Sequence, residues 1–190
     1  MNEIIFEGQQ SDERVLYTII PHEMTKRLAT LRNLVLAILL FLVFLVFAAV
    51  IPTITSVALV GGIVVAGGFF LATVWWNKIV YERAKAYITD RRIIRFEQST
   101  PFVTTKRTLF WNEVLKAKAY APNLLYRMFR IGIVEIEPNN VEHEDVTIHN
   151  VRYFEDLANY IDKILFTFKN KPGDLGDLRP FVPKPRGQRD

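Results

Sequence analysis

The sequence predicts a membrane protein in which a two-helix transmembrane hairpin precedes a small antiparallel β barrel or sandwich that a C-terminal α-helix covers. Three observations predict this fold class: two long apolar stretches, several short alternating stretches after them, and one amphipathic helical stretch near the end. The order of these patterns predicts a cytoplasmic N-terminal arm, a hairpin, a sheet domain and a tail. Their bounds are 1–32, 33–76, 77–168 and 169–190.

The two apolar stretches cover residues 34–51 and 56–76, and four residues separate them. The first contains no polar side chain, and the second contains only Ser56 and Thr73. At about 1.5 Å per residue, each is long enough as a helix to cross a bilayer core of about 30 Å. We therefore predict two transmembrane helices. A cleaved signal peptide is a poor alternative, because the first apolar stretch begins late, is too long and leads into a second span.

Basic residues precede the first span and follow the second, whereas the turn between the spans carries no charge. The positive-inside rule therefore places both ends of the chain in the cytoplasm, with the spans in the inner (plasma) membrane. Near an anionic leaflet each basic residue could contribute about 1 kcal/mol to binding of headgroups, although the same residues could serve only to set the topology. The candidate lipid contacts are Lys26, Arg27, Arg32, Lys78, Arg83 and Lys85.

Small residues recur along one face of the second span. Ala58, Gly62 and Ala66 are four residues apart, and Gly61 and Gly68 lie on adjoining turns. A face with so little side chain lets a neighbouring backbone approach closely. We predict that it packs against the first span, and the alternative is a contact between two copies in a homo-oligomer.

The chain after the spans shows the patterns of β-strands. Residues 79–89 and 92–98 are rich in branched and aromatic side chains, and Thr89-Asp90-Arg91-Arg92 between them is typical of a tight turn. Apolar and polar side chains then alternate in three short stretches, which predicts an antiparallel sheet with one solvated face. These stretches are 115–120, 134–137 and 146–149.

Three further segments complete the predicted domain. Residues 15–20, which precede Pro21, predict a strand-like arm that lies against the sheet. Apolar residues at three- and four-residue spacing over 153–168 predict one amphipathic helix. Residues 171–190 hold four prolines and three glycines with almost no apolar material, so we predict a disordered tail.

Three short motifs follow one another around these elements: DERVLY at 12–17, YITDRR at 87–92 and LLYRMFRIG at 124–132. Together with the two spans and the closing helix, this order resembles the bacterial membrane-flanked domain with a pleckstrin-homology-like fold, over roughly residues 12–168. The resemblance implies two nearly orthogonal antiparallel sheets closed at one end by the C-terminal helix. Phe129-Arg130 departs from the usual pattern of that family. The resemblance implies no particular activity.

Residue types that carry catalysis or metal binding are sparse. The chain has no cysteine, and on one strand His143 and His149 would lie about 20 Å apart, so we predict no metal site. Phosphate-binding loops, nucleophile elbows and zinc-protease motifs are missing from the sequence, and the spans carry no ionisable group of the kind that transporters use. A net charge of +4 without dense basic clusters does not indicate binding of nucleic acid. We predict no cofactor and no enzymatic activity.

These observations predict a non-catalytic, membrane-anchored module that contacts lipid headgroups or a protein partner at the cytoplasmic face. One alternative is a structural subunit of a larger membrane complex. Another is a membrane enzyme acting on lipid or envelope precursors, in which Glu82, Asp90 and Glu97 converge near Trp75 and Trp76. Five basic residues around the first hairpin could form a second patch: Arg91, Arg92, Arg95, Lys106 and Arg107.

Overall fold

A computed structural model describes residues 4–140 and 144–183 of the chain. These residues form two units. Residues 23–82 with 100–102 form a helical unit, and the described parts of 1–22, 83–99 and 103–190 form a sheet unit.

The helical unit consists of two long helices, α1 (Glu23–Val50) and α2 (Thr55–Arg83), joined by a 3-10 turn at Pro52–Ile54. The Thr55 hydroxyl donates a hydrogen bond to the Ala48 carbonyl at 2.9 Å and so closes this turn. Each helix is long and apolar enough to cross a membrane. Most side chains along both spans are exposed, and a contiguous apolar surface of this extent needs a cover other than water.

The two helices run antiparallel, because Lys26 Nζ near the start of α1 lies 3.8 Å from Glu82 Oε1 near the end of α2. Ala58, Gly62 and Ala66 are buried. A Cβ atom added to Gly62 would lie 2.7 Å from the Cβ of Phe44 on α1. The predicted packing against the first span is therefore confirmed at Gly62, whereas Gly68 of the predicted face is exposed and has nothing within 4 Å of an added Cβ.

We predict that Gly62→Ala separates α1 from α2, because the added methyl group meets a Cβ atom that the α1 backbone holds in place. Overpacking of this kind costs about 1–3 kcal/mol. The matched control is Gly68→Ala on the same helix, where an added Cβ meets nothing within 4 Å. The measurement is the rate of cross-linking by a short bifunctional maleimide between cysteines placed at Lys26 and Glu82 in this cysteine-free chain. We expect a lower rate with Gly62→Ala and an unchanged rate with Gly68→Ala. Equal rates in both variants would contradict the close contact at Gly62.

The strand predicted from residue 79 begins later than expected. Residues 79–83 continue α2, although their branched side chains predict the start of a strand. Extending a helix that is already formed requires the ordering of only one residue for each added hydrogen bond. The helix therefore continues through Ile79 and Val80 despite their weak strand preference. Helix α1 begins at Glu23, so residues 23–32 of the predicted arm are helical.

The sheet unit contains two antiparallel sheets. The first has the strand order β1-β2-β3-β4 and the second β5-β6-β7. The predicted arm is confirmed as β1, which pairs antiparallel with β2, and the predicted hairpin is confirmed as β2 and β3. The strands are β1 Val15–Ile19, β2 Lys85–Thr89, β3 Arg92–Thr100, β4 Val103–Phe110, β5 Val114–Tyr120, β6 Ile131–Pro138 and β7 Val146–Arg152.

Two helices accompany the sheets: a short α3 (Leu124–Met128) between β5 and β6, and α4 (Phe154–Asn170) after β7. The predicted amphipathic helix is confirmed as α4, whose apolar face joins one core with both sheets. At Gly132 on β6, an added Cβ would lie 2.4 Å from the ring of Phe154, so only glycine lets α4 approach this closely. The largest fully buried side chain of this core is Trp111.

The predicted disorder of the tail is wrong for residues 169–183. The chain continues α4 to Asn170, forms a 3-10 turn at Pro172–Asp177 and buries Leu178 and Phe181 in the main core. The ring of Phe181 meets the ring of Tyr17 edge-on at 4.9 Å between centroids. Leu178 and Phe181 are enough to order this segment, because the folded sheet unit already provides the apolar surface against which they pack. Residues 184–190 lie outside the described part of the chain.

Candidate functional site

The predicted lipid contacts lie in two groups. Lys26, Arg27, Arg32 and Lys78 belong to the helical unit, and the antiparallel arrangement brings them toward one end of the hairpin. Lys26 lies 3.8 Å from Glu82, and Arg27 lies 3.8 Å from Glu23, with all of these side chains largely exposed. Such exposed pairs contribute at most about 1 kcal/mol and leave the cations accessible to solvent or headgroups. Arg83 and Lys85 follow in the sheet unit.

The charged residues of the first two motifs pair with one another across the sheet. Asp12 forms an ion pair with Arg91, Glu13 with Arg92, and the backbone N–H of Arg14 donates to the Asp90 carboxylate at 3.1 Å. Each of the three charged residues of the first motif therefore meets a residue of opposite charge in the β2–β3 turn. This arrangement binds β1 and the residues before it to the hairpin.

The central pair, Glu13 with Arg92, is buried. Arg92 Nε and Nη2 donate to the two carboxylate oxygens of Glu13 at 2.8 Å and 2.7 Å. Thr89 Oγ1 lies 2.9 Å from Glu13 Oε1, and Arg92 Nη2 also donates to the Gly8 carbonyl at 2.8 Å. Bidentate geometry with further hydrogen bonds is what allows charges to remain ionised in a protein interior.

The same contacts set the titration of this pair. Burial raises the pKa of the Glu13 carboxyl, but hydrogen bonds from Arg92, the Gln10 backbone and Thr89 outweigh burial and hold this pKa below its ordinary value. The hydrogen bond to Glu13 raises the pKa of Arg92. Both groups therefore remain charged, which suits an architectural role and leaves neither group able to exchange a proton near neutral pH.

Four of the five residues of the predicted second basic patch are paired with acids, and the fifth, Lys106, donates to the Glu7 carbonyl. Arg92 is buried against Glu13, and Arg91 is paired with Asp12. Arg95 lies 3.1 Å from Glu97, whose other oxygen lies 3.8 Å from Arg107. Sequence reasoning missed Glu13 and Glu97 as the partners, because a list of basic residues does not show which acids the strand pairing brings beside them.

The carboxylates considered for a membrane enzyme have separate partners. Glu82 faces Lys26, Asp90 accepts from the Arg14 backbone, and Glu97 lies between Arg95 and Arg107. A general acid and a general base need environments that shift their pKa values apart around a shared cleft. These three carboxylates instead neutralise neighbouring cations or complete a turn.

Within residues 4–140 and 144–183, no three His, Asp or Glu side chains lie close enough together to bind a metal ion. His143 lies outside the described residues, so its predicted separation from His149 stays a prediction. Burial of the ring, with a contribution from Arg95, lowers the pKa of His149. His149 is therefore mostly neutral near pH 7.

Comparisons of the chain with protein-family models, with curated proteins and with solved structures find no match. The resemblance to the membrane-flanked, pleckstrin-homology-like family therefore stays a prediction from the motifs. What the geometry adds is a physical role for two of those motifs, since DERVLY and YITDRR contain the residues that pair across the arm and the hairpin.

Proposed function

We propose that this chain is a non-catalytic module of the inner membrane, held by the α1–α2 hairpin with both termini in the cytoplasm. Its sheet unit, of pleckstrin-homology-like type, acts by contact with lipid headgroups or a protein partner. The observation that carries this proposal is an antiparallel pair of exposed apolar helices whose basic residues gather toward one end. The four-stranded and three-stranded sheets with a C-terminal helix support the fold assignment.

The chain passes almost directly from each helix into the sheet unit. Only Ala84 separates α2 from β2, and residues 20–22 separate β1 from α1. Since an extended residue spans at most about 3.6 Å, both connections are short. A module with two short tethers is suited to contacts at the membrane surface.

The proposal predicts that the intact chain resists extraction by carbonate and selects anionic lipid. Fractionation after a carbonate wash tests whether the hairpin anchors the chain in the membrane. Protease added outside spheroplasts tests the orientation, and it should leave the sheet unit intact. Reconstitution in bilayers of mixed headgroup then measures the enrichment of anionic lipid around the protein. We expect enrichment of several-fold, because each basic residue near the surface contributes about 1 kcal/mol.

The matched variant replaces Lys26, Arg27, Arg32 and Lys78 with glutamine, which removes charge with little change of shape. Enrichment should fall toward that of a neutral helical hairpin, while the fraction of protein in the bilayer stays the same. Unchanged enrichment would mean that these residues only set topology. Recovery of the intact chain in the soluble phase would overturn the anchor itself. If a stable hetero-complex survives purification in mild detergent, the role of a structural subunit in a larger membrane complex replaces the one proposed.

A further inference from the structure

The short helix α3 and the two residues after it form an exposed apolar and basic surface that the proposed function does not yet use. Asn123 caps this helix, since its side-chain oxygen accepts a hydrogen bond from the Tyr126 backbone at 3.0 Å. Leu124 is 74% exposed and Met128 is 69% exposed. We name residues 124–130 the α3 segment. Its other exposed members are Leu125, Arg127, Phe129 and Arg130.

The charge of this segment is uniformly positive. Arg127 and Arg130 lie within it, and the sequence contains no acidic residue between Glu113 and Glu135. Lys116 and Lys118 of the same interval are paired with Glu137 and add no free charge to the segment. Large apolar side chains that alternate with arginine in a short exposed helix are typical of segments that lie in the headgroup layer of a membrane. An anionic leaflet matches both properties, because it offers negative headgroups above hydrocarbon.

The topology of the sheet unit places the α3 segment at the edge from which the chain continues into α1. The backbone N–H of His22, the last residue before α1, donates to the Asn150 carbonyl on β7 at 2.9 Å. Two residues further along β7, Arg152 pairs with Ile131, the first residue of β6. Tyr153 then donates to the Arg130 carbonyl at 3.1 Å. At about 3.3 Å per strand residue and about 5 Å between strands, Arg130 lies roughly 10–15 Å from His22.

We propose that the α3 segment inserts its apolar side chains into the headgroup layer of an anionic leaflet and acts as a second, peripheral membrane contact. This inference rests on the proposed membrane anchoring, because His22, which lies near the α3 segment within the sheet unit, leads directly into the proposed span α1. Charge complementarity and position at the tethered edge both select a lipid surface as the occupant rather than a protein.

The absence of cysteine makes a direct test practical. Met128→Cys carries an environment-sensitive fluorophore in the full-length chain, reconstituted in vesicles that contain phosphatidylglycerol with acyl chains brominated near the glycerol. The matched control is Asn140→Cys, because Asn140 is exposed beyond the opposite end of β6 from the α3 segment. We expect at least threefold stronger quenching of the label at 128 than at 140, and protection of the label at 128 from iodide in solution.

A second comparison tests the electrostatic part. Arg127→Gln with Arg130→Gln should reduce the quenching at 128 by at least half, as should vesicles of phosphatidylcholine alone. A label at 128 that iodide quenches as strongly as the label at 140 would overturn the proposal. A label protected from iodide but not quenched by brominated lipid would also overturn it, since a protein then covers the segment.

The fluorescence of the native tryptophans distinguishes failure of the α3 contact from failure of the membrane anchor. Trp75 and Trp76 near the end of the second span should be quenched by brominated lipid, whereas Trp111 is fully buried in the sheet unit. Quenched tryptophans with an unquenched label at 128 would refute the α3 contact and leave the proposed function in place. Unquenched tryptophans would refute the membrane anchor itself.

Discussion

Replacing Glu13 with glutamine should destabilise the sheet unit by about 3–5 kcal/mol, because it leaves a buried arginine without its counter-charge. The Glu13 side chain is fully buried, and that of Arg92 is 10% exposed. The amide of glutamine has nearly the shape of the carboxylate, so the loss reflects charge rather than packing. Urea unfolding of the full chain in detergent, followed by pulse proteolysis of the sheet unit, measures the change.

A neighbouring pair in the same motif provides the control. Asp12 and Arg91 are also an ion pair, but their side chains are 66% and 43% exposed. Asp12→Asn should therefore cost less than about 1 kcal/mol. Glu13→Leu combined with Arg92→Met should be less destabilising than either single change, since no charge then remains buried. A loss with Glu13→Gln as small as that with Asp12→Asn would contradict the burial of this pair.

The same pair predicts a dependence on pH. Because the pKa of Glu13 in the folded protein lies below its ordinary value of 4.5, its contribution to stability is present above that value. The contribution is lost as the pH falls through the lowered pKa, where the folded carboxylate takes up a proton. The difference in unfolding free energy between the native chain and Glu13→Gln should therefore be constant near neutral pH and shrink below about pH 4.5. A difference that stays constant into this acidic range would contradict the assigned pKa direction.

Trp111→Ala should also destabilise the sheet unit by about 3–5 kcal/mol, as is usual when a fully buried tryptophan is truncated. The indole fills the main core and its N–H donates to the Thr89 carbonyl at 3.1 Å. Trp111→Phe keeps much of the volume and loses the donor, so an intermediate loss is expected. The midpoint of urea unfolding by pulse proteolysis compares the three proteins.

An exposed aromatic residue of the same unit serves as the control. Phe166 on α4 is 62% exposed, and Phe166→Ala should change stability by no more than about 0.5 kcal/mol. If Trp111→Ala lowered the free energy of unfolding as little as Phe166→Ala, the burial of Trp111 in the main core would be contradicted. The contrast also tests whether α4 presents its apolar stripe inward as described.

Elements whose signal is local could be predicted from the sequence. The β2–β3 hairpin was predicted because its strands and its turn each carry a recognisable pattern within a few residues. Helix α4 was predicted because its apolar residues repeat at helical spacing and meet the core as one face. Contacts between elements could not be predicted this way. The sequence groups Arg92 with the other basic residues of the first hairpin, and only the pairing of β1 with β2 brings Glu13 beside it.

The amino-acid sequence by itself determined the two apolar helices, the alternating strands and the closing helix, because hydrophobic periodicity acts within each segment. The tertiary structure decided three other matters: α2 continues to Arg83, Leu178 and Phe181 order a polar tail, and a chain of ion pairs joins the arm to the hairpin. Each depends on a surface or a charge supplied by a distant part of the chain. Burial and charge pairing act between residues that are neighbours only after folding, so no local pattern records them.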